Sequence, residues 1–282
     1  MKTTRFLLAA AGMLLITFSC KKSNNENPKE DDTAKNYTLD VKAAAILETE
    51  QFANEMEFIL RHVPENLTQY PNGGSFLNCA TITRTNIPSG KEITISFNQA
   101  TVCADGKTRS GTMVIEYNIT NHDTMVSLQN YKVNNVEFKG QFIIGYENLQ
   151  SVAKVTLTAI NTSIKKDAQN EIVFSYSKKS IIKTGANTID PADDVMEYAD
   201  ASYFLTAKIA GTNMLIKGTA LNVSQLKNNC NTPKYLPSAG QVKVEYSVSG
   251  TSTDPNNPLT GALYLTFGDG TCGSKPFVQK KL

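Results

Sequence analysis

The alternation of side chains from Phe76 onward constrains this chain more than any other feature. Successive side chains of a strand point to opposite faces, so burial of one face writes a period of two into the sequence. Val242, Val244, Tyr246 and Val248 alternate with Lys243, Glu245, Ser247 and Ser249, and Ile93, Ile95 and Phe97 alternate with Thr94 and Ser96. Related runs occupy 112–119, 125–133, 136–146, 152–160, 171–177, 203–210, 214–221 and 262–267. Between them stand turn signals: Pro88-Ser89-Gly90, Asp105-Gly106, Asn134-Asn135, Gly211-Thr212-Asn213 and Asp269-Gly270. The pattern predicts an all-β antiparallel fold of roughly a dozen strands, either a sandwich or an extended meander. No long helical patterns separate the strands, which excludes a parallel α/β sheet.

One amphipathic helix precedes the strands, over 40–63. Ala45, Phe52, Met56, Ile59 and Val63 recur at helical steps and form one apolar face, while Glu48, Glu50, Glu55 and Glu57 fall mostly off it. Asp40 suits the N-cap, Arg61 and His62 suit the negative end, and Pro64 predicts the stop. The apolar stripe is expected to pack on the sheet that follows. An acidic opposite face makes an anionic membrane surface a poor alternative.

The first 22 residues, MKTTRFLLAAAGMLLITFSCKK, have the charged start and apolar run of an export signal. The run over 6–18 is too short to span a bilayer, which takes about 20 residues. Its end, Ser19-Cys20, resembles the lipobox of bacterial lipoproteins, with Thr17 in place of the usual Leu. That resemblance implies cleavage before Cys20 and acylation of its thiol, with plain secretion as the alternative. Residues 1–19 then form a signal peptide, 20–37 the lipidated cysteine and a polar tether, 38–75 a helical segment on the sheet, and 76–282 the all-β domain. Without the signal the chain carries 26 basic and 26 acidic residues. Zero net charge removes the global attraction for phosphate that drives nucleic-acid binding, so no nucleic-acid partner is expected.

Four cysteines remain beyond Cys20: Cys79, Cys103, Cys230 and Cys272. An even number in an exported chain predicts two disulfides, and sequence proximity favours Cys79–Cys103 and Cys230–Cys272 among three connectivities. Each would stabilise the fold by about 3–4 kcal/mol in the chain-entropy model. A weak internal echo joins the same regions: Ile93–Phe97 and Leu263–Phe267 are each followed within a few residues by Cys103 and Cys272. Two related halves, or chance similarity of strand ends, both account for it. Cys79-Ala-Thr-Ile-Thr, the run Cys103-Ala-Asp-Gly-Lys-Thr-Arg-Ser-Gly111 and Phe267-Gly-Asp-Gly-Thr-Cys272 resemble signatures of a family of Bacteroidota lipoproteins that has no assigned reaction. The resemblance runs from about Cys79 to the end. Gly273 stands where the family often has Asn or Asp.

Motifs for chemistry are sparse. Gly106-Lys107-Thr108 lacks the upstream glycine of a phosphate loop, since Thr101 stands there, and reads as a hairpin turn. Neither G-x-S-x-G nor H-E-x-x-H occurs, and His62 and His122 are the sole histidines, so no catalytic residue is assigned. Asp190, Asp193, Asp194 and Glu197 cluster without the spacing of a calcium loop; they read as a solvated acidic loop, and no metal or cofactor is expected. Asp32-Thr33-Ala34 and Asp123-Thr124-Met125 resemble Bacteroidota O-glycosylation sites, at Thr33 and Thr124.

Together these readings predict a cell-envelope lipoprotein, held at the outer membrane by its lipid on the periplasmic or the surface side. It would act as a non-catalytic binding or structural module toward an envelope protein or glycan. A glycan-processing hydrolase or glycan-binding subunit is the alternative. A third is an assembly factor that buries Phe52 and Met56 against a partner.

Overall fold

The structure is a computed structural model that describes residues 40–66, 79–98, 102–103, 106–118, 120, 123–149, 152–185, 194–227, 230, 235–250 and 259–280. Residues from Tyr37 onward form one compact unit. Helix α1 (Val41–Asn66) comes first. Among the described residues thirteen strands follow: β1 (Ala80–Ile87), β2 (Gly90–Phe97), β3 (Arg109–Asn118), β4 (Thr124–Val133), β5 (Val136–Leu149), β6 (Val152–Lys165), β7 (Glu171–Thr184), β8 (Val195–Ile209), β9 (Thr212–Ala220), β10 (Ser224–Lys227), β11 (Ala239–Val248), β12 (Thr260–Asp269) and β13 (Phe277–Lys280). All pair antiparallel in one sheet, so the fold is the meander of the two expected forms.

The single departure from sequential neighbours has a simple cause. β8 pairs with β9 over Ser202–Ile209 and with β10 over Val195–Tyr198, and β11 likewise pairs with both. β9 and β10 therefore share one strand position, interrupted at Leu221-Asn222-Val223. Every other strand lies beside its sequence neighbour, and within this sheet β1 and β13 are the two ends.

Bulges curl the sheet into a trough. Between β3 and β5, β4 carries an extra residue at Asn130, whose φ is 52°; β6 repeats the device at Asn161, with φ 49°. A bulge bends its strand and increases the local twist. Each has a glycine across from it. A Cβ on Gly111 would lie 2.2 Å from the Asn130 carbonyl oxygen, and one on Gly140 would lie 2.6 Å from Thr162 Cα. Gly111 also sits at φ +86°, where a side chain is strained. Gly111→Ala is expected to cost about 2–5 kcal/mol, combining left-handed strain with overpacking against backbone. Urea unfolding of the purified variant measures it.

α1 lies in the trough and contacts β4 through β8 and β11. Asp40 caps it as expected, its carboxylate accepting from Lys42 N at 2.9 Å. Phe52 packs on β5, with ring centroids 4.3 Å from Phe138 and 5.3 Å from Phe142. Gly218 of β9 lets the helix approach: a Cβ there would lie 3.0 Å from Ile46 Cδ1. The helix runs on past Pro64 to Asn66, because the missing N–H falls in the last turn and removes only one terminal bond.

The larger correction concerns its polar side. The acidic residues off the apolar face were expected in water, yet Glu50, Glu55 and Glu57 are buried along with Ala45, Phe52, Met56 and Ile59. A flat sheet would cover one helical face; a trough covers nearly all of them. From Val41 to Arg61 only Val41 is exposed, and a narrow stripe of Ala44, Glu48, Gln51 and Phe58 is half-buried. Phe52 and Met56 are therefore covered by the chain's own sheet.

Candidate functional site: a polar stripe buried in the trough

Glu50, Asn54, Glu57 and Arg61 follow one another at steps of four, three and four, which aligns them on one side of α1. That side faces β7, β8 and the segments around them. Glu50 accepts from Tyr198 Oη at 2.6 Å and Asn54 Nδ2 at 2.9 Å on Oε1, and from Tyr203 Oη at 2.6 Å and Tyr176 Oη at 2.9 Å on Oε2. Four donors match the roughly four lone-pair sites of a carboxylate. Asn54 also donates to the Tyr235 carbonyl at 3.0 Å.

One helical turn on, Lys178 of β7 places its ammonium against both Asn54 Oδ1 and Glu57 Oε2, 4.8 Å from the centre of the Tyr198 ring. Lys178 and Glu57 are both fully buried. Glu57 has no hydrogen-bond partner besides this ion contact, so the ammonium is its compensation among the described residues. At the far end Arg61 pairs with Asp194 at 3.1 Å and reaches Met196 Sδ at 3.0 Å. On the adjacent side of α1, Glu55 pairs with Arg109 at 3.0 Å and Lys107 at 3.7 Å, and Arg109 Nε donates to Tyr131 Oη at 3.2 Å.

Burial and the nearby Glu50 charge push the hydroxyls of Tyr176, Tyr198 and Tyr203 well above the ordinary tyrosine range. Tyrosines held neutral in this way donate hydrogen bonds; they do not serve as bases or nucleophiles near neutral pH. The stripe is built to hold a helix carboxylate in a dry interior.

Two open recesses flank the half-buried stripe of α1, with volumes of about 210 and 260 Å³. The Lys166–Glu48 ion pair stands between them and lines both. The larger is lined by two carboxylates, Glu48 and Glu55, the arrangement that would favour a glycosidase. Both are already committed, to Lys166 and to Arg109 with Lys107.

The residues singled out from sequence are placed as follows. Cys79–Cys103 and Cys230–Cys272 are bonded, one pair near each end of the sheet. Ile93, Ile95 and Phe97 of β2 and Leu263, Leu265 and Phe267 of β12 are alike buried, in the strands next to the two ends, and a single sheet runs unbroken between them. Gly106-Lys107-Thr108 belongs to a turn closed by Cys103 N donating to the Lys107 carbonyl at 2.9 Å. Thr124 corrects an expectation: it is 1 % exposed in β4, so the folded protein offers no room there for a sugar. Asp194 also departs from the solvated loop foreseen for it, being buried against Arg61, while Glu197 pairs with Lys183 at 3.2 Å. Cys20, Thr33, His122, Asp190 and Asp193 lie outside the described residues, as does the side chain of His62.

Among the described residues no group of metal-ligating side chains could hold an ion, and no helix is long and apolar enough to cross a membrane. No family model matches the chain, and no curated protein or solved structure matches it either.

Proposed function

We propose that this chain is a lipid-anchored module of the bacterial outer membrane that binds or scaffolds an envelope partner without catalysing a reaction. The observation that carries the reading is the commitment of the acids in and beside the trough. Glu50 is saturated by tyrosine and amide donors, and Glu48, Glu55 and Glu57 are each held by a cation. A glycosidase needs one carboxyl group to give up a proton and another to attack or activate water, and groups fixed in ion pairs suit neither task. Export rests on the apolar run before Cys20, and the anchor on its resemblance to a lipobox.

Two measurements test the two parts. Cells fed an alkyne fatty acid should label the protein, and Cys20→Ala should abolish the label; an unlabelled wild-type chain overturns the anchor. The purified soluble domain, incubated with a panel of envelope glycans, should retain some and cleave none. Cleavage that disappears in Glu48→Gln or Glu55→Gln would establish the hydrolase instead. Protease treatment of intact cells assigns the periplasmic or surface side.

A further inference from the structure

Three side chains of the stripe hold reactive groups of different kinds in mutual contact. Lys178 carries an amine, Asn54 a carboxamide and Glu57 a carboxylate, and Lys178 Nζ touches both Asn54 Oδ1 and Glu57 Oε2. All three residues are buried. The Asn54 amide is fixed in orientation, because Nδ2 donates to Glu50 Oε1 at 2.9 Å and to the Tyr235 carbonyl at 3.0 Å. Its carbonyl therefore faces the lysine, and contact with Oδ1 brings Nζ beside Cγ, the carbon of the same group. Among the described residues Glu57 accepts no hydrogen bond, so its carboxylate is open to a proton from the ammonium it touches.

We propose that this triad closes an amide bond between Lys178 Nζ and Asn54 Cγ with release of ammonia, so that α1 becomes covalently joined to β7. Removal from water disfavours both charged forms of an ion pair, and the proton passes from the ammonium to Glu57. The neutral, desolvated amine is a nucleophile. A rotation of the flexible lysine stem raises Nζ over the amide plane, its lone pair forms the new bond to Cγ, and the carbonyl π pair moves to Oδ1. Glu57 then gives its proton to Nδ2 and takes one from Nζ. The pair on Oδ1 returns, the Cγ–Nδ2 bond breaks, and ammonia leaves. One ammonium, one carboxylate and one carboxamide thus become one secondary amide, one carboxylic acid and one ammonia, with hydrogens and charge conserved and no co-reactant required.

The surroundings suit each step. Glu50 Oε1 and the Tyr235 carbonyl already accept from Nδ2 and can hold the departing nitrogen. The Tyr198 ring, its centre 4.8 Å from Nζ, closes over the amine. Exclusion of water protects Cγ from hydrolysis, and fixed contact replaces a bimolecular encounter. The step occurs once per chain, so a slow reaction suffices. Before closure the groups stand as the ion pair and hydrogen bond described above, and the energetics of that pair are those of the unlinked chain. After closure, residues 124 apart in sequence are joined, and neither heat nor reductant frees the helix from its trough. This inference depends on neither the lipid anchor nor the envelope partner.

Mass spectrometry of the full chain tests it. The folded protein is aged by prolonged warming, then unfolded, reduced and digested with trypsin. The expected product is a branched peptide holding both Asn54 and Lys178, uncut after Lys178 and about 17 Da lighter than its two parts together. Lys178→Met should leave the Asn54 peptide at full mass. Glu57→Gln, scored on chains that still resist proteolysis when native, should slow the joining by about a hundredfold or more. Separate peptides at full mass in aged wild-type protein overturn the proposal, whatever the variants do. So does a Lys178 peptide joined to Glu57 instead, which loses water and is lighter by about 18 Da. Joining as fast in Glu57→Gln as in wild type would overturn the role of Glu57 as proton carrier.

Discussion

Above about pH 10 the folded protein should lose stability at about 4 kcal/mol per pH unit, a slope set by three protons. Tyr176, Tyr198 and Tyr203 are buried beside Glu50, and their hydroxyls are held well above the value of 10.0 that they regain on unfolding. A raised folded-state value means that the native protein keeps its protons where the unfolded chain has released them. The stabilisation is whole below about pH 10 and drains away as the pH climbs toward the folded-state values. Urea unfolding at pH 8, 9, 10 and 11 gives the slope, and tyrosinate absorbance follows the same groups directly. In the folded state the three should stay silent until the transition and then appear together. Tyr203→Phe provides the control: it weakens the hold on Glu50 and lowers the alkaline slope by about a third, since two protons remain. A slope near zero, or three tyrosines titrating in the native protein near pH 10, would show that the hydroxyls are not enclosed around the carboxylate.

How far the sequence disclosed this arrangement depends on which physical rule each residue obeyed. Rules that act locally could be read. Asp40 caps α1, the disulfide partners are those closest in sequence, and β2 from Ile93 to Phe97 and β11 from Val242 to Val248 keep the alternation. The long central strands were harder, because a bulge shifts the alternation by one residue. In β6, Val155, Leu157 and Ala159 point inward, and after Asn161 the inward residues are Thr162 and Ile164. β8 makes a similar shift: Asp200 pairs with Lys179 and Tyr198 with Ser180, leaving Ala199 as the extra residue. The periodicity before the shift was therefore lost, and Met196 and Tyr198 were absorbed into what looked like an acidic loop.

The stripe on α1 failed to show for a different reason. The steps Glu50, Asn54, Glu57 and Arg61 match those of the apolar face and were visible, but an acidic residue off an apolar face is ordinarily in water. Only the curvature of the sheet makes it otherwise. That curvature comes from bulges at Asn130 and Asn161 facing Gly111 and Gly140, residues that alone signal no more than turns. The three tyrosines come from β7 and β8, so their meeting around one carboxylate depends on strand pairing and register.

Lys178→Met should be among the most damaging single changes in the protein, at about 3–5 kcal/mol of unfolding free energy. Methionine fills most of the volume of lysine, so the loss is electrostatic. Glu57 would keep its place in a fully buried site with the Lys178 cation gone, and the Asn54 amide oxygen would lose that donor as well. The cost of an ion pair and the cost of half an ion pair are different quantities. Moving two charges out of water roughly offsets their attraction, whereas leaving one behind is uncompensated. Glu57→Leu placed on top of Lys178→Met removes the stranded carboxylate and should return most of the lost stability, a coupling of several kcal/mol between the two sites. Urea unfolding of wild type, the two single variants and the double variant at pH 7 closes the cycle. Recovery in the double variant identifies the trough as a site that tolerates apolar packing but not an unpaired charge. Additive losses would mean that Lys178 acts through Asn54 and the Glu50 cluster instead, with the 57–178 contact contributing little.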